Sequence, residues 1–246
     1  MKKKQFALLI LGIVLVGALV WVNREHSTNN APAGDTSSSF NKKAYSLTDP
    51  NSIWIVVNKQ RPLNPKTYAP NDLVTPAIPM RANITDTEKQ VRRATASALE
   101  TMTAKAKTEG FGFNLQSGYR SYDFQVNLYD RYVSEQGKTV ADTQSARPGY
   151  SEHQTGLAAD LGSVSHPECD VEDCFGDTPE GKWLVANAYK FGFIIRYPEN
   201  LNAITGYIYE PWHVRYVGVD LATEMHKQGV LTLEQFFGLP AAPAYE

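Results

Sequence analysis

The sequence predicts an α+β fold: a single domain with a small, mostly antiparallel sheet flanked by helices, preceded by an N-terminal membrane helix. Three observations predict this class. Helical and strand-like segments alternate without a regular βαβ order, which favours segregated helices and an antiparallel sheet. The composition changes once, near residue 45, and no second linker follows. The third observation is an apolar run over residues 6–22, at the length of a bilayer-spanning helix.

The apolar run contains 17 uncharged residues from Phe6 to Val22, just long enough to cross a hydrocarbon core. Three lysines precede it and only Arg24 follows closely, which favours a cytoplasmic N-terminus and an extracytoplasmic domain. No small-x-small cleavage site closes the run, so we predict an uncleaved, single-pass signal-anchor over residues 1–23. The alternative is a cleaved signal peptide, which would make the domain a secreted protein.

Residues 24–45 are rich in Ser, Asn, Ala and Gly, a composition that predicts a flexible tether. One domain then spans residues 46–246. Its first predicted strand is the β-branched run Ile53–Val57, followed by a Pro-rich extended stretch over residues 61–79. Thr85 and Glu88 form a capping-box pattern, which predicts a helix that ends at Gly110. Its predicted buried face consists of Val91, Ala94, Ala98, Met102 and Ala106.

The second half of the domain alternates short strands and helices. Strands are predicted over residues 113–116, 157–161 and 193–197 and around Tyr207 and His213. A helix begins at Ser121, carries Phe124, Leu128 and Tyr132 on one face and ends at Gly137. Further helices are predicted from Thr178 to Tyr189 and, as a short pair, over residues 221–237.

The charge balance excludes one class of partner. The chain has 24 Lys and Arg against 26 Asp and Glu, so it lacks the clustered positive charge of a surface that binds the phosphate backbone of nucleic acids. We therefore expect no nucleic-acid partner, and we expect a monomer.

The first group of candidate site residues is S-E-H-Q-T-G-L-A-A-D, from Ser151 to Asp160. A carboxylate at Asp160, inside an apolar strand, is costly unless a positive charge compensates it. A divalent metal ion held by Asp160 and His153 would supply that charge. The alternative is an Asp160 held by backbone N–H groups or by an arginine, since structural ion pairs give the same pattern.

The second group is E-P-W-H, from Glu210 to His213. With His213 as a third ligand, the set is that of a catalytic zinc site, which leaves one coordination position open. Glu210, near the metal but not bound to it, would accept and return a proton. The alternatives are an ordinary surface acid for Glu210 and a core aromatic for Trp212, and we accept the latter.

The third group is S-G-Y-R-S, from Ser117 to Ser121, where a strand meets a helix. Arg120 at this junction would stabilise an oxyanion or hold a substrate carboxylate. By itself the pattern is equally compatible with a surface arginine.

Together these motifs resemble a known family, the VanY-like branch of the M15 peptidases, which comprises zinc D,D- and L,D-carboxypeptidases of bacterial cell walls. The family pattern S-x-H-x-x-G-x-A-x-D is met over residues 151–160, and E-x-W-H over residues 210–213. The resemblance covers about residues 50–235. It implies zinc ligands at His153, Asp160 and His213, a general base at Glu210 and a carbonyl-polarising Arg120. It further implies Ser151 and Gln125 as substrate contacts.

The implied function is a zinc D,D-carboxypeptidase that removes the C-terminal D-alanine from peptidoglycan stem peptides. One alternative within the family is an L,D-carboxypeptidase acting on tetrapeptide stems. A second is a zinc-containing binding module without catalysis, because the signalling domain of hedgehog proteins is similar to this family. The presence of both Glu210 and Arg120 favours an enzyme.

Two cysteines, Cys169 and Cys174, are separated by four residues in an acidic loop. In an exported domain this spacing predicts a disulfide bond. A second metal site that uses His166 is the alternative.

Overall fold

The structure, a computed structural model, describes residues 40–246. The predicted membrane helix and most of the predicted tether lie outside the described residues. Within residues 40–246, no helix has both the length and the apolar character needed to cross a bilayer. Residues 40–45, predicted as the end of the tether, pack onto the domain instead. Phe40 and Tyr45 both contact Trp54, with ring centroids 5.6 and 4.9 Å apart.

A four-stranded antiparallel sheet forms the centre of the domain, with strand order β3-β4-β6-β5. Its strands are β3 Phe113–Ser117, β4 Ala158–Ser163, β5 Phe193–Tyr197 and β6 Glu210–Tyr216. A separate two-stranded antiparallel pair is formed by β1 Leu73–Val74 and β2 Val91–Arg92. The predicted fold class is confirmed for the described part of the chain: helices flank small antiparallel sheets.

Seven α-helices surround the sheets in the described residues. Their bounds are α1 Arg93–Thr108, α2 Tyr122–Gln136, α3 Lys138–Gln144, α4 Pro179–Asn187, α5 Asn202–Thr205, α6 Val219–Gln228 and α7 Leu233–Phe237. The predicted start of α2 is confirmed, since the Ser121 hydroxyl accepts a hydrogen bond from the Phe124 amide. Helix α3 was not predicted, because its seven residues show no apolar periodicity.

The main core lies between the sheet and α1 and α4. In β4, Ala159 and Leu161 face this core, so the residue between them, Asp160, points to the opposite side of the sheet. Trp212 and Val214 in β6 face the core in the same way, which turns His213 to the side of Asp160. The alternation of side chains along two neighbouring strands thus directs both polar residues to one face.

The prediction of a strand at Ile53–Val57 is wrong. The segment is irregular, yet it is almost completely buried. Its side chains divide between two clusters: Trp54 and Val56 pack with α6 and α7, whereas Ile55 and Val57 pack with Leu157. The β-branched pattern therefore indicates a segment that is buried on two sides, and not one that pairs with a neighbouring strand.

The capping-box pattern at Thr85 and Glu88 is present, but it does not start a helix. Glu88 accepts a hydrogen bond from the Thr85 amide, and the Glu88 amide donates to the Thr85 hydroxyl. The chain then leaves the helical path, because the backbone carbonyls of Glu88 and Gln90 accept hydrogen bonds from Gly118 and Tyr119. Helix α1 begins only at Arg93.

Three smaller predictions also differ from the structure. Helix α1 buries Thr95, Ala96, Leu99, Met102 and Ala106, whereas Ala94 is exposed and Ala98 is only partly buried against the core. Helix α2 buries Gln125 and Tyr129, not the predicted face of Phe124, Leu128 and Tyr132. The segment around Tyr207 is a bend and not a strand, although Tyr207 is buried.

Candidate active site

The strand register brings Asp160 and His213 together. Asp160 in β4 lies directly opposite His213 in β6, and the His213 Nδ1 is 3.0 Å from the Asp160 Oδ1. Side chains of directly opposed residues in an antiparallel pair are within contact distance. Asp160 and His213, which are 53 residues apart in sequence, therefore meet as one cross-strand pair.

His153 reaches the same point from one turn of 3₁₀ helix, Glu152–Thr155, which precedes β4. The turn ends at Gly156 with a φ of 67°, a left-handed conformation that favours glycine. The His153 Nδ1 is 2.6 Å from the carbonyl oxygen of Gly118, to which it donates, and this leaves a lone pair on Nε2. That Nε2 is 3.2 Å from the Asp160 Oδ2.

These three side chains fit a metal ion. One potential ligand atom from each of His153, Asp160 and His213 lies within 4.8 Å of the others, and all three residues are buried. The Nε2 atom of His153 has no hydrogen-bond partner among the described residues, which is the state expected of a ligand atom. Two imidazoles and one carboxylate are the donors that zinc prefers, and three protein ligands leave a position open.

The charges of Asp160 and His153 agree with this fit. Burial alone would raise the pKa of Asp160, but His153 and His213 hold it well below its ordinary value, so the carboxylate stays ionised. Burial, and then the charge of Arg120, lower the pKa of His153 and keep it neutral. Burial would also lower the pKa of His213, but Asp160 and Glu152 raise it to about 9, so His213 must lose a proton to act as a metal ligand.

Glu210 faces the same point because β6 is irregular there. The pairing of β5 with β6 shifts between Ile195 and Tyr197, and this bulge places both Glu210 and His213 on the cavity. The Glu210 Oε2 is 3.7 Å from the His213 Nδ1. Burial, and then the charge of Asp160, raise the pKa of Glu210 to about 8 against the opposing effect of His213. A carboxyl group with a pKa near neutrality is suited to proton transfer.

The three candidate ligands and Glu210 line a cavity of about 490 Å³. Arg120 also lines it, and no other arginine or lysine of residues 40–246 does so. The Arg120 Nε is buried without a hydrogen-bond partner in the described residues. Gly118, two residues earlier, must be glycine, because a Cβ there would overlap the carbonyl oxygen of Gln90.

The two predicted substrate contacts occupy different places. Ser151 is buried at 2% exposure and lines the cavity. Gln125 is fully buried behind the wall, and its Nε2 donates to Ser145 and to the carbonyl oxygen of Ala146. Those two residues do line the cavity, so Gln125 supports the wall from behind.

The acidic loop forms part of the cavity rim. A disulfide bond joins Cys169 to Cys174, and Val171, Glu172 and Asp173 between them line the cavity. Because both cysteines are in the disulfide, neither is available as a thiolate ligand for the alternative metal site at His166. His166 lies instead 3.6 Å from Glu180.

The sequence reasoning missed a buried charged cluster beneath the histidines, composed of Glu152, Arg196, Arg215 and Glu234. All four side chains are at most 1% exposed. Arg196 contacts both glutamates, at 2.8 Å from Glu152 and 2.7 Å from Glu234. A signal was present: an arginine within each of the apolar strands β5 and β6 requires a buried partner.

Comparisons with known proteins agree with the geometry. The model of the VanY family, described as D-alanyl-D-alanine carboxypeptidase, matches residues 88–219. The Bacillus subtilis (strain 168) protein YodJ is 43% identical over 220 residues, which cover 87% of this chain and 80% of YodJ.

Two solved structures are similar to the chain. The LdcB LD-carboxypeptidase has a TM-score of 0.72 and 46% identity, covering 77% of this chain and 87% of LdcB. A mutant of the vancomycin resistance D,D-pentapeptidase VanY, solved in complex with Zn(II), has a TM-score of 0.60 and 32% identity. That comparison covers 74% of this chain and 97% of the VanY chain. The family predicted from the two histidine motifs is thereby confirmed. The chain belongs to the VanY carboxypeptidase family and is a peptide hydrolase.

Proposed function

We propose that this protein is a zinc carboxypeptidase that removes the C-terminal D-alanine from peptidoglycan stem peptides. One observation carries the proposal: His153, Asp160 and His213 converge within 4.8 Å on a cavity that Glu210 and Arg120 also line. The similarity to a VanY protein in complex with Zn(II) supports zinc as the metal. The similarity to LdcB and VanY supports a cell-wall peptide as the substrate.

His153, Asp160 and His213 would hold the ion, which when bound supplies Lewis acidity and lowers the pKa of water. Glu210 accepts a proton from the attacking water at its carboxylate and then donates it to the nitrogen of the leaving D-amino acid. Arg120 donates hydrogen bonds to the oxygen of the scissile carbonyl, where negative charge develops. Ser151 lies on the cavity wall in a position to contact the peptide backbone.

The length of the stem peptide distinguishes two forms of this function. The sequence motifs do not distinguish the two forms; D,D activity on pentapeptides is the form expected from the sequence, and the similarity to the D,D-pentapeptidase VanY supports it at 32% identity. The similarity to the LD-carboxypeptidase LdcB is greater, at 46% identity and a TM-score of 0.72. We therefore propose L,D activity on tetrapeptides as the main activity and D,D activity as the second candidate.

The test combines metal analysis with defined substrates. Purified protein is incubated with tetrapeptide and pentapeptide stems, and the products are identified by mass. We expect about one equivalent of zinc per chain, loss of one D-alanine from the tetrapeptide, and loss of activity on chelation that zinc restores. Release only from the pentapeptide would reverse the order of the two forms. A metal-containing chain that cleaves neither stem would contradict the proposed function and favour a binding module.

The proposed location is the outer face of the cell membrane, with the domain tethered by the apolar segment over residues 6–22. Detection of the full-length chain in the membrane fraction, accessible to protease added from outside, would support it. A shorter mature chain in the medium would favour a cleaved signal peptide instead.

A further inference from the structure

Glu152 is a buried acid next to the candidate ligand His153, and it takes no part in the proposed proton transfers. It is 1% exposed. Its Oε1 accepts hydrogen bonds from the Arg196 Nε at 2.8 Å and from an Arg215 NH group at 2.7 Å. One oxygen of the carboxylate therefore accepts hydrogen bonds from both arginines.

The other oxygen is unused. The Glu152 Oε2 is buried and has no hydrogen-bond partner within residues 40–246. The nearest imidazole nitrogen is the Nε2 of His213, at 3.8 Å, and that atom is also buried without a partner in the described chain. The Glu152 Oε2, an acceptor, and the His213 Nε2, a potential donor, are thus both shielded from solvent, and their separation exceeds a normal hydrogen-bond length by about 1 Å. Buried polar atoms are rarely left unpaired, so this pair requires an explanation.

The orientation of the His213 ring is fixed by its neighbours. Its opposite nitrogen, Nδ1, points to Asp160 and lies 3.0 Å from Oδ1. The ring packs against Tyr197 and His153, with centroids 4.9 and 4.8 Å away. With the ring held in this way, Nε2 lies 3.8 Å from the Glu152 Oε2.

We propose that Glu152 is a positioning residue that accepts a hydrogen bond from the Nε2–H of His213 and thereby commits Nδ1 to the metal ion. This inference rests on the proposed function, because it assigns a role toward the zinc. A ligand histidine that donates its second nitrogen to a carboxylate has a fixed tautomer, a fixed ring orientation and a more basic ligand nitrogen. Arg196 and Arg215 hold the carboxylate in place through Oε1 and leave Oε2 for the histidine.

The two histidines then use different nitrogens. His153 donates Nδ1–H to the backbone of Gly118 and offers Nε2, whereas His213 donates Nε2–H to Glu152 and offers Nδ1. This difference gives the inference a signature in the wild-type protein. Long-range ¹H–¹⁵N correlation spectra of the zinc-loaded protein should show a protonated Nε2 and a metal-bound Nδ1 for His213. The reverse assignment would overturn the inference, and the experiment requires no variant to fold.

The second test compares two substitutions within one charged cluster. Glu152→Gln and Glu234→Gln each remove one carboxylate from the same buried cluster, in which Arg196 contacts both acids, and each leaves one surplus positive charge. Only Glu152 faces His213. Zinc affinity is measured by competition with a chelating indicator, and thermal unfolding of the metal-free proteins reports their stability.

We expect Glu152→Gln to bind Zn²⁺ about 10- to 100-fold more weakly than wild type, the usual effect of losing such a partner. Glu234→Gln should remain within about threefold of wild type, with a similar loss of thermal stability. Equal losses of affinity in both variants, or no loss in either, would overturn the role of Glu152 and leave the proposed function intact. A wild-type chain that binds no Zn²⁺ would overturn both proposals.

Discussion

At the scale of single residues, the roles proposed for Glu210 and Arg120 are those that distinguish a hydrolase from a metal-binding module. Glu210 is buried at 8% exposure beside His213, and Arg120 is the single arginine or lysine that the described residues contribute to the cavity lining. Neither side chain belongs to the converging ligand set. Their loss should therefore affect turnover more than metal binding.

Glu210→Gln keeps the shape of the side chain but cannot accept a proton. We expect kcat to fall by about 10²- to 10⁴-fold, because general acid–base catalysis contributes that much, while zinc content stays at the wild-type level. Stem-peptide cleavage and metal analysis on the same preparation measure both quantities. Unchanged turnover at full zinc content would show that another group moves the proton.

Arg120→Ala removes the proposed donor to the developing oxyanion. The expected decrease in kcat is about 10²- to 10³-fold, the cost of losing one such group. Arg93→Ala, which removes an exposed arginine from the start of α1, is the matched control and should retain wild-type kinetics. If both variants were equally active, Arg120 would have no part in catalysis.

At the scale of elements, the cavity depends on irregular features of regular structures. The bulge between β5 and β6 turns Glu210 toward His213, and the 3₁₀ turn before β4 delivers His153. The loop between Cys169 and Cys174 forms part of the rim, and its Val171 has a φ of 60°. Such a conformation is costly for a β-branched residue and persists only where the surroundings enforce it.

Substituting both cysteines, as Cys169→Ser with Cys174→Ser, should release this loop. We expect the variant to lose about 2 kcal/mol of stability, or about 4–8 °C in Tm, because a short closed loop contributes that much. KM for stem peptides should rise more than kcat falls, because the loop lines the cavity but lies apart from the ligand set.

Thermal unfolding and cleavage kinetics, each with and without a reductant, measure these effects. Reductant should shift the wild type toward the variant and leave the variant unchanged. A wild-type Tm that does not respond to reductant, once free-thiol labelling has shown that the bond is broken, would contradict this role of the disulfide.

At the scale of the whole molecule, the buried cluster of Glu152, Arg196, Arg215 and Glu234 links distant parts of the chain. Glu234 in α7 contacts Arg196 in β5 and accepts a hydrogen bond from Asn58. Arg215 in β6 donates to the carbonyl oxygens of Ile53 and Ile55. The cluster therefore connects the sheet, the C-terminal helix and the irregular segment that replaces the predicted first strand.

This cluster makes stability depend on pH. Burial alone would raise the pKa of Glu234, but the charge of Arg196 lowers it below its ordinary value. A carboxyl group whose pKa is depressed by folding stabilises the folded state above its unfolded pKa, about 4.3, and loses that contribution as pH falls. The free energy of unfolding of the metal-free protein should therefore decrease as pH is lowered from about 5 toward 3.

Glu234→Gln should be less stable at pH 7, by about 3–5 kcal/mol, because it leaves a buried charge without its partner. Its stability should also change less with pH than that of wild type. Urea unfolding at a series of pH values measures both effects, and the exposed Asp130→Asn variant serves as the control. Parallel pH curves for wild type and Glu234→Gln would contradict the assignment of this pH dependence to the cluster.

The sequence by itself determined the fold class, most of the strands and helices, and the candidate ligands His153, Asp160 and His213. It could do so because alternating apolar residues and a costly acid inside an apolar strand are local signals. Only the tertiary structure decided that Ile53–Val57 is a buried irregular segment, that Gln125 lies behind the cavity wall, and that Glu152 faces His213. These features depend on which distant residues hydrogen-bond to each backbone carbonyl and pair with each buried charge. Such partners come together only when the whole chain packs.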